Sequence, residues 1–225
     1  MAQPWKTLAT LETDEGLMEL RQRGAKDFLI TVGGLVLMNS QQNRSEIVLG
    51  QLGCEKLLTR PQPRVLVGGL GMGYTLKAVL DSLPAAAEVV VAELNPTVVE
   101  WCRAPLAVLT ATAVDDPRVT VEIGDVAALV KRSAQKGELF DAVIFDLYKG
   151  PHAKTDRIHD PLYGSKAIAN VCKILKPGGR FTIWGENFDA GFDRRLQQAG
   201  LKTDSKRPGK GGYRHVVFVG DKPGR

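Results

Sequence analysis

The chain has 225 residues, of which 44% are hydrophobic and 24% charged, and a formal net charge of +5 at pH 7. This composition is typical of a water-soluble globular protein, and the length suits one large core with a small appendage. No apolar run approaches the ~18 residues of a membrane-spanning helix, and residues 1–16 lack the apolar segment of a signal peptide. We therefore expect a cytoplasmic protein without a membrane partner.

The cysteines and the basic residues argue against two further classes of function. Cys54, Cys102 and Cys172 lie far apart in apolar stretches, which predicts buried reduced thiols and no metal site. Much of the positive charge lies in residues 202–215, which could form a nucleic-acid patch or a solvated hairpin loop. Because no recognised nucleic-acid module accompanies this segment, we expect the hairpin loop and no nucleic-acid partner.

The first forty residues predict short β-strands. Four runs with partial alternation of apolar and polar residues are separated by turn residues, at 5–12, 16–23, 27–32 and 35–40. They predict a small antiparallel meander. Apolar residues at helical spacing then predict a helix over 44–58, with Ser45 as its cap. We therefore expect an N-terminal β-meander in residues 1–43 and an α/β domain in residues 44–225.

Strands and helices alternate along the rest of the chain. The predicted strands are 64–69, 88–94, 118–125, 140–146, 179–186 and 214–220. The predicted helices between them are 74–83, 96–108, 126–135, 161–175 and 192–201. Strands that are apolar on both faces, each followed by a helix, are typical of a parallel sheet covered on both sides. The fold class is therefore α/β, with a doubly wound, mostly parallel sheet.

A glycine-rich turn follows the first strand of this alternating region. Gly68, Gly69, Gly71 and Gly73 stand between that strand and its helix. Glycines allow the backbone to turn tightly and let a ligand approach the N–H groups at the helix N-terminus. One glycine would serve packing alone, whereas four in six residues indicate a ligand-binding loop.

The next three strands each end at an acidic residue. Glu93, Asp125 and Asp146 would meet at the carboxyl edge of the sheet, where open α/β sheets bind their ligands. Any one of them could instead cap a helix, worth ~1 kcal/mol. Three acids at corresponding strand ends, together with a glycine loop, favour a nucleoside-binding edge. Glu93 stands at the position that offers a carboxylate to ribose hydroxyls.

The spacing of this loop, G-x-G-x-G rather than the G-x-G-x-x-G of dinucleotide-binding proteins, resembles the class I S-adenosylmethionine (AdoMet) methyltransferase fold. The resemblance implies a seven-stranded sheet completed by a C-terminal hairpin. It also implies that Glu93 binds the ribose and that Asp125 lies near the adenine. A nicotinamide-dependent dehydrogenase is a weaker alternative.

Over nearly its whole length, the chain resembles the spermidine synthase family of aminopropyltransferases. The segments that carry the resemblance are FLITVGGLVLMNSQQNRSEIVL, GLGMGY, VAELN, IGDV, FDAVIFD and LYGSKAIANVCKILKPGGRFTIWGE. The resemblance implies that Asp146 orients and deprotonates an attacking amine and that Glu46 binds the substrate. It further implies that Glu186 closes the acceptor side and that the protein forms a homodimer.

Two departures from the family pattern bear on the reaction. Met72 stands where the family loop has an aspartate, and Lys149 stands where a second amine-binding acid is expected. A cationic Lys149 would repel a diamine by a few kcal/mol in a partly dry cleft, on the order that Coulomb's law gives. These departures favour methyl transfer from AdoMet to a small neutral or acidic acceptor over aminopropyl transfer from decarboxylated AdoMet to a polyamine. A non-catalytic AdoMet-binding protein and a nucleic-acid methyltransferase are further alternatives.

The loop after the fourth strand of the α/β region supplies the candidate catalytic residues. In-line displacement at a sulfonium depends on positioning, and an oxygen or nitrogen acceptor must also lose a proton. Asp146, Tyr148 and His152 could accept that proton, although His152 could equally be a surface loop residue. The identity of the acceptor stays open.

Overall fold

The computed structural model describes residues 3–152, 159–209 and 215–224. Its strands are β1 (Lys6–Thr13), β2 (Gly16–Arg23), β3 (Asp27–Val32), β4 (Leu35–Asn39), β5 (Arg64–Gly68), β6 (Glu88–Glu93), β7 (Val119–Ile123), β8 (Phe140–Phe145), β9 (Leu175–Gly185), β10 (Lys202–Lys206) and β11 (Val216–Asp221). Its helices are α1 (Arg44–Cys54), α2 (Tyr74–Asp81), α3 (Pro96–Arg103), α4 (Ala107–Thr110), α5 (Val126–Lys136), α6 (Ser165–Ile174) and α7 (Ala190–Gln198).

The N-terminal strands form an antiparallel sheet in the order β1-β2-β3-β4. Its inward side chains, among them Leu20, Phe28 and Ile30, belong to the same buried cluster as Leu49 of α1. The small sheet is therefore packed onto the larger part of the fold. Helix α1 itself contacts α2, β8, β9 and β11. A domain boundary between residues 43 and 44 stays a prediction.

The second sheet has the order β10-β11-β9-β8-β5-β6-β7. Strands β9, β8, β5, β6 and β7 are parallel to one another, and β11 runs antiparallel to both β9 and β10. This arrangement confirms the predicted doubly wound, mostly parallel, seven-stranded sheet. The strand order reverses between β5 and β8, and ligands bind at such a switch point in open α/β sheets.

Strand β8 crosses the centre of the core, and all of its residues are buried. Ala142 and Ile144 face one hydrophobic cluster, whereas Val143 and Phe145 face the other. Both faces of the strand are therefore apolar, as its uninterrupted hydrophobic run predicts. Asp146 is the first residue beyond the strand, at the carboxyl edge.

Several predicted boundaries are wrong for local reasons. Helix α1 stops at Cys54 instead of residue 58, because the following N–H groups bond three residues back, as Leu57 N does to Cys54 O. The helix predicted over 96–108 is broken into α3 and α4 near Pro105, which offers no backbone N–H. Asn43 occupies the N-cap position that was predicted for Ser45, and its side chain donates to the carbonyl of Ser40 instead of capping the helix.

The C-terminal half also differs in detail. The helix predicted from residue 161 begins at Ser165, because Asp160 accepts the N–H groups of Leu162 and Tyr163 in a turn. Residues Lys202–Lys206 form strand β10 of the predicted hairpin. The rest of the basic segment lies partly outside the described residues, at 210–214.

The three cysteines are free, but Cys172 is only half-buried, in contrast to the prediction. Burial raises the pKa of Cys54 and of Cys102 to about 12. Among the helices of the described ranges, none has the length and apolarity that crossing a membrane would require.

Helices α1 and α2 approach each other closely at Gly50. A methyl group on Gly50 would lie 2.8 Å from the carbonyl oxygen of Thr75 and 2.9 Å from the Cβ of Ala78. These distances are shorter than van der Waals contact, so the crossing needs a residue without a side chain. Gly50 therefore sets the separation of the two helices whose N-terminal turns reach the carboxyl edge.

We expect Gly50→Ala to lower the free energy of unfolding by about 1–2 kcal/mol, because overpacking of about 1–3 kcal/mol exceeds the gain in helix propensity. Urea denaturation followed by circular dichroism would measure the change. Gln51→Ala, on the exposed side of the same helix, is the matched control and should stay within about 0.5 kcal/mol of wild type. Equal stability of the Gly50→Ala variant would contradict the close-packing argument.

Candidate active site

The glycine loop is held directly against the end of β8. The amide of Asp146 donates to the carbonyl of Gly68 at 2.8 Å. Gly69 has a φ of +88°, and a Cβ on it would lie 2.2 Å from the carbonyl oxygen of Asp146. No side chain fits there. The glycines predicted to bind the cofactor and the predicted catalytic acid are therefore neighbours.

The N-terminal sheet covers the other side of this loop. A Cβ on Gly71, whose φ is +52°, would lie 2.8 Å from the sulfur of Met38. The hydroxyl of Tyr74, at the start of α2, donates to the carbonyl of Ser40 at 3.0 Å. Gly73 begins α2 in a left-handed conformation with φ +81°. The small sheet thus forms one wall of the carboxyl edge.

Glu93 lies beneath the glycine loop and is 8% exposed. Its carboxylate accepts the amide of Leu70 at 2.9 Å and the amide of Asn95 at 2.9 Å. Burial raises its pKa, and these hydrogen bonds partly oppose the rise. Each carboxylate oxygen can accept more than one hydrogen bond, so ribose hydroxyls could still be bound. That role stays a prediction.

Asp125 caps helix α5. One carboxylate oxygen accepts the amide of Ala127 at 2.8 Å, and the side chain is exposed. The capping role that the sequence left open is therefore real for this acid. This hydrogen bond uses one oxygen of the Asp125 carboxylate. The placement of Asp125 near an adenine stays a prediction.

Asp146 sits at the bottom of the edge with protein on most sides and only part of its surface accessible. Its Oδ2 accepts the hydroxyl of Thr75 at 2.6 Å. Burial, followed by the negative charge of Glu46, raises the pKa of Asp146 to about 7. A carboxyl with a pKa near the working pH can both bind a cation and accept a proton.

Glu46 reaches the same corner from the first turn of α1. It accepts the hydroxyl of Ser45 at 2.6 Å, and Ser45 Oγ lies 3.1 Å from Nδ1 of His215. The imidazole of His215 packs edge-on against Trp184, with 4.9 Å between the ring centroids. This corner is thus bounded by two carboxylates, a hydroxyl and two aromatic rings.

Three residues of this corner were missing from the prediction. Thr75 is the second residue after the glycine loop and Ser45 precedes Glu46, so the sequence position of each pointed to the site. His215 carried none, because it lies 170 residues from its partner Ser45. Trp184 packs against the hydrophobic cluster and is partly exposed. Its buried indole nitrogen makes no hydrogen bond within the described ranges.

Lys149 is turned away from the two carboxylates. Its ammonium donates to Glu15, on the turn between β1 and β2, at 2.7 Å, and both side chains are more than half exposed. The same ammonium lies 5.1 Å from the centroid of the Tyr148 ring. The positive charge expected at the acceptor site is therefore paired at the surface.

The other predicted residues of this loop and of β9 lie further out. Tyr148, His152 and Glu186 are all exposed. Gly150 is buried against the end of β9, where a Cβ would come within 2.7 Å of the Cα of Gly185. The structure therefore gathers Glu46, Asp146 and the glycine loop, and leaves Tyr148, His152 and Glu186 at the rim.

We expect Asp146→Asn to stabilise the protein at alkaline pH. A folded-state pKa of about 7 lies above the ~3.9 of an unfolded chain, so the folded state holds the proton more tightly. Wild-type stability attributable to this group is therefore lost as the pH rises from about 4 to 7, whereas asparagine stays neutral.

Melting temperatures of both proteins at pH 5 and pH 8 would measure this difference. The advantage of Asp146→Asn should grow between the two pH values. Asp14→Asn, on an exposed turn, is the control and should show a constant offset. A variant that is no more stable than wild type at pH 8 would contradict the raised pKa.

Comparisons with known proteins identify the family of this chain. Residues 52–190 match the family model described as the spermine/spermidine synthase domain. The chain is 36% identical over 124 residues to a polyamine aminopropyltransferase of Pyrobaculum arsenaticum, covering 55% of this chain and 42% of that protein. It is 35% identical over 120 residues to putrescine N-methyltransferase 2 of Nicotiana attenuata, covering 53% of this chain and 30% of that protein. The chain therefore spans less than half the length of these curated relatives.

The fold is also found among solved structures. The spermidine synthase of Thermotoga maritima superposes with a TM-score of 0.72 at 21% identity, covering 96% of this chain and 72% of that chain. This likeness, together with the sheet order, confirms the class I methyltransferase-like fold. Because the family model covers more than half of the sequence, the chain belongs to the spermine/spermidine synthase family.

Proposed function

We propose that the protein transfers an aminopropyl group from decarboxylated AdoMet to a small di- or polyamine. The observation that carries this proposal is the pair of carboxylates, Glu46 and Asp146, that share one poorly solvated corner beside the glycine loop. Two neighbouring acids suit a positively charged acceptor. The family and the Pyrobaculum relative support the same reaction.

This proposal replaces the methyl transfer to a neutral or acidic acceptor that the sequence favoured. That preference depended on the charge of Lys149, which is paired with Glu15 at the surface. It also depended on Met72, whose side chain is 1% exposed and packs in the core. The repulsion expected from Lys149 is therefore removed, whereas the loop aspartate of the family pattern is still replaced by Met72.

Methyl transfer from AdoMet to an amine is the second candidate. The likeness to the Nicotiana putrescine N-methyltransferase favours it. Both candidates share an amine acceptor and differ in which carbon of the sulfonium is attacked. The same carboxylate pair would serve either reaction.

The residues of the carboxyl edge fit a nucleoside co-substrate. Gly69 and Gly71, both with positive φ, form a tight turn that leads to the N–H groups at the start of α2, and Glu93 keeps lone pairs for ribose hydroxyls. The co-substrate supplies a carbon activated by its sulfonium, at which a C–N bond forms as the C–S bond breaks to leave a neutral thioether. The protein's contribution is to hold the amine in line with that carbon.

Asp146 and Glu46 then have different tasks. An amine attacks only after it has lost a proton, and Asp146, with a pKa of about 7, is suited to accept that proton and pass it to water. Glu46, with its hydrogen bond from Ser45, holds the charge of the bound ammonium. The incoming cation also relieves the repulsion between the two carboxylates.

We expect Glu93→Gln to weaken nucleoside binding by about tenfold or more, because the amide group would oppose one of the two backbone N–H groups that Glu93 accepts and leave it unpaired. Calorimetric titration with 5′-deoxy-5′-methylthioadenosine would measure the dissociation constant. Glu100→Gln, on the exposed side of α3, is the matched control and should bind as wild type does. Unchanged binding by Glu93→Gln would exclude Glu93 from the nucleoside site.

The reaction itself can be tested with purified protein, AdoMet or decarboxylated AdoMet, and a panel of di- and polyamines. Mass spectrometry should detect amines extended by one aminopropyl group with the decarboxylated co-substrate. Asp146→Asn should lower the rate by about 10²–10⁴-fold through loss of the proton acceptor. Lys149→Ala should change kcat/KM by less than about threefold, because exposed ion pairs contribute little.

The other products distinguish the alternatives. Methylated amines formed from AdoMet would support the second candidate and contradict aminopropyl transfer. Binding of the nucleosides without any product would indicate a non-catalytic binding protein. A loss for Lys149→Ala as large as that for Asp146→Asn would show that Lys149 acts in the acceptor site.

A further inference from the structure

The hydroxyl of Thr75 lies between two oxygens that could both accept its hydrogen. It is 2.6 Å from Oδ2 of Asp146 and 3.2 Å from the backbone carbonyl of Glu46. A hydroxyl has one hydrogen to donate. The shorter contact falls in the range of about 2.5–2.7 Å that is typical of a hydroxyl donating to a charged carboxylate. The hydrogen therefore belongs to the contact with Asp146.

The position of this hydroxyl is fixed by the packing of two helices. Thr75 is 1% exposed and is the second residue of α2, a helix that begins after the left-handed Gly73. Gly50 allows α1 to approach until its backbone touches Thr75. The longer contact, to the carbonyl of Glu46, comes from the turn of α1 that precedes Gly50. The hydroxyl consequently has little freedom to leave the carboxylate.

The two oxygens of Asp146 have different surroundings. Oδ2 accepts from Thr75, whereas Oδ1 accepts no hydrogen bond from the residues that the structure describes. The charged and titratable groups around the corner come from several elements and are Glu46 of α1, Tyr74 of α2, Lys149 of the loop after β8, Tyr163 before α6 and His215 before β11.

These neighbours do little to keep Asp146 charged. Glu46 opposes its ionisation, and the phenol of Tyr163 donates to the carbonyl of Lys149 instead. The ammonium of Lys149 is engaged by Glu15, and His215 contacts Ser45. Within the described part of the chain, Thr75 is the one side chain that donates a hydrogen bond to this carboxylate.

We propose that Thr75 is a positioning residue for Asp146: its hydroxyl anchors Oδ2, favours the ionised carboxylate and leaves Oδ1 for the amine of the acceptor. The part of this inference that concerns the amine rests on the proposed function. The part that concerns ionisation is a property of the free protein. The two parts can therefore be tested separately.

The first experiment follows the titration of Asp146 in the free protein by carbon-13 NMR of its carboxyl group, assigned with Asp146→Asn. Thr75→Val removes the hydroxyl and keeps the shape, and Thr75→Ser keeps the hydroxyl. Loss of a hydrogen bond to the charged form raises a pKa. The titration midpoint should rise by ~1 pH unit in Thr75→Val and stay near the wild-type midpoint in Thr75→Ser. Equal midpoints in folded wild type and Thr75→Val would overturn the proposal.

The second experiment measures kcat/KM against pH for the amine that wild type uses. The acidic limb should move upward with the midpoint in Thr75→Val, which gives about a fivefold loss at pH 7 that approaches about tenfold at lower pH and disappears at higher pH. Thr75→Ser should keep the wild-type profile. An equal loss at every pH, without a shift of the limb, would indicate a merely structural role and overturn the proposal.

The two experiments separate the failure of this inference from the failure of the proposed function. If wild type modifies no amine, the proposed function and the role of Thr75 toward the acceptor both fall. The NMR titration then still decides whether Thr75 favours the ionised form of Asp146. If wild type modifies an amine and Thr75→Val behaves as wild type in both experiments, the proposed function stands and the inference about Thr75 falls.

Discussion

The arrangement of this protein depends on the contact between its glycine loop and the end of β8. The amide of Asp146 bonds to Gly68, and the carbonyl of Asp146 fills the space where Gly69 would carry a side chain. This contact places the first turn of α2 directly over Asp146, so that Thr75 reaches its carboxylate. The close crossing at Gly50 then brings α1, and with it Glu46, to the same corner.

The electrostatics of the corner follow from that packing. A carboxyl group that is surrounded by protein and placed near a second acid holds its proton more tightly than an exposed one. One donor hydroxyl only partly offsets these effects, so Asp146 titrates near neutral pH instead of near pH 4. The two neighbouring carboxylates lower the stability of the free protein, and a bound cation would offset that loss. The site would therefore favour an amine acceptor.

The N-terminal sheet takes part in the site as well as in the core. Met38 covers Gly71, the carbonyl of Ser40 accepts the phenol of Tyr74, and Glu15 pairs with Lys149. These contacts join the small sheet to the glycine loop, to α2 and to the loop after β8. Without the small sheet, this wall of the carboxyl edge would be more open to water. A dry site strengthens the electrostatic interactions on which group transfer depends.

The sequence by itself determined the fold class, the glycine loop and the acids that end β6, β7 and β8. Apolar strands that alternate with helices, and acids at the ends of strands, are local patterns, so they can be recognised in one sequence. It could not determine which acids act as caps: Asp125 caps α5, whereas Asp146 does not cap a helix and accepts from Thr75. Nor could it determine helix ends such as that of α1, because those depend on single hydrogen bonds.

Only the tertiary structure decided where the charge of Lys149 lies. The sequence places Lys149 three residues from Asp146, and its side chain is long enough to point either way. The turn that carries Glu15 lies 134 residues earlier in the chain and draws the ammonium outward. His215 reaches Ser45 from the last strand in the same manner. Contacts between distant segments have no periodicity or spacing in the sequence, so the direction of a long charged side chain becomes known only when the packed chain brings its partner close.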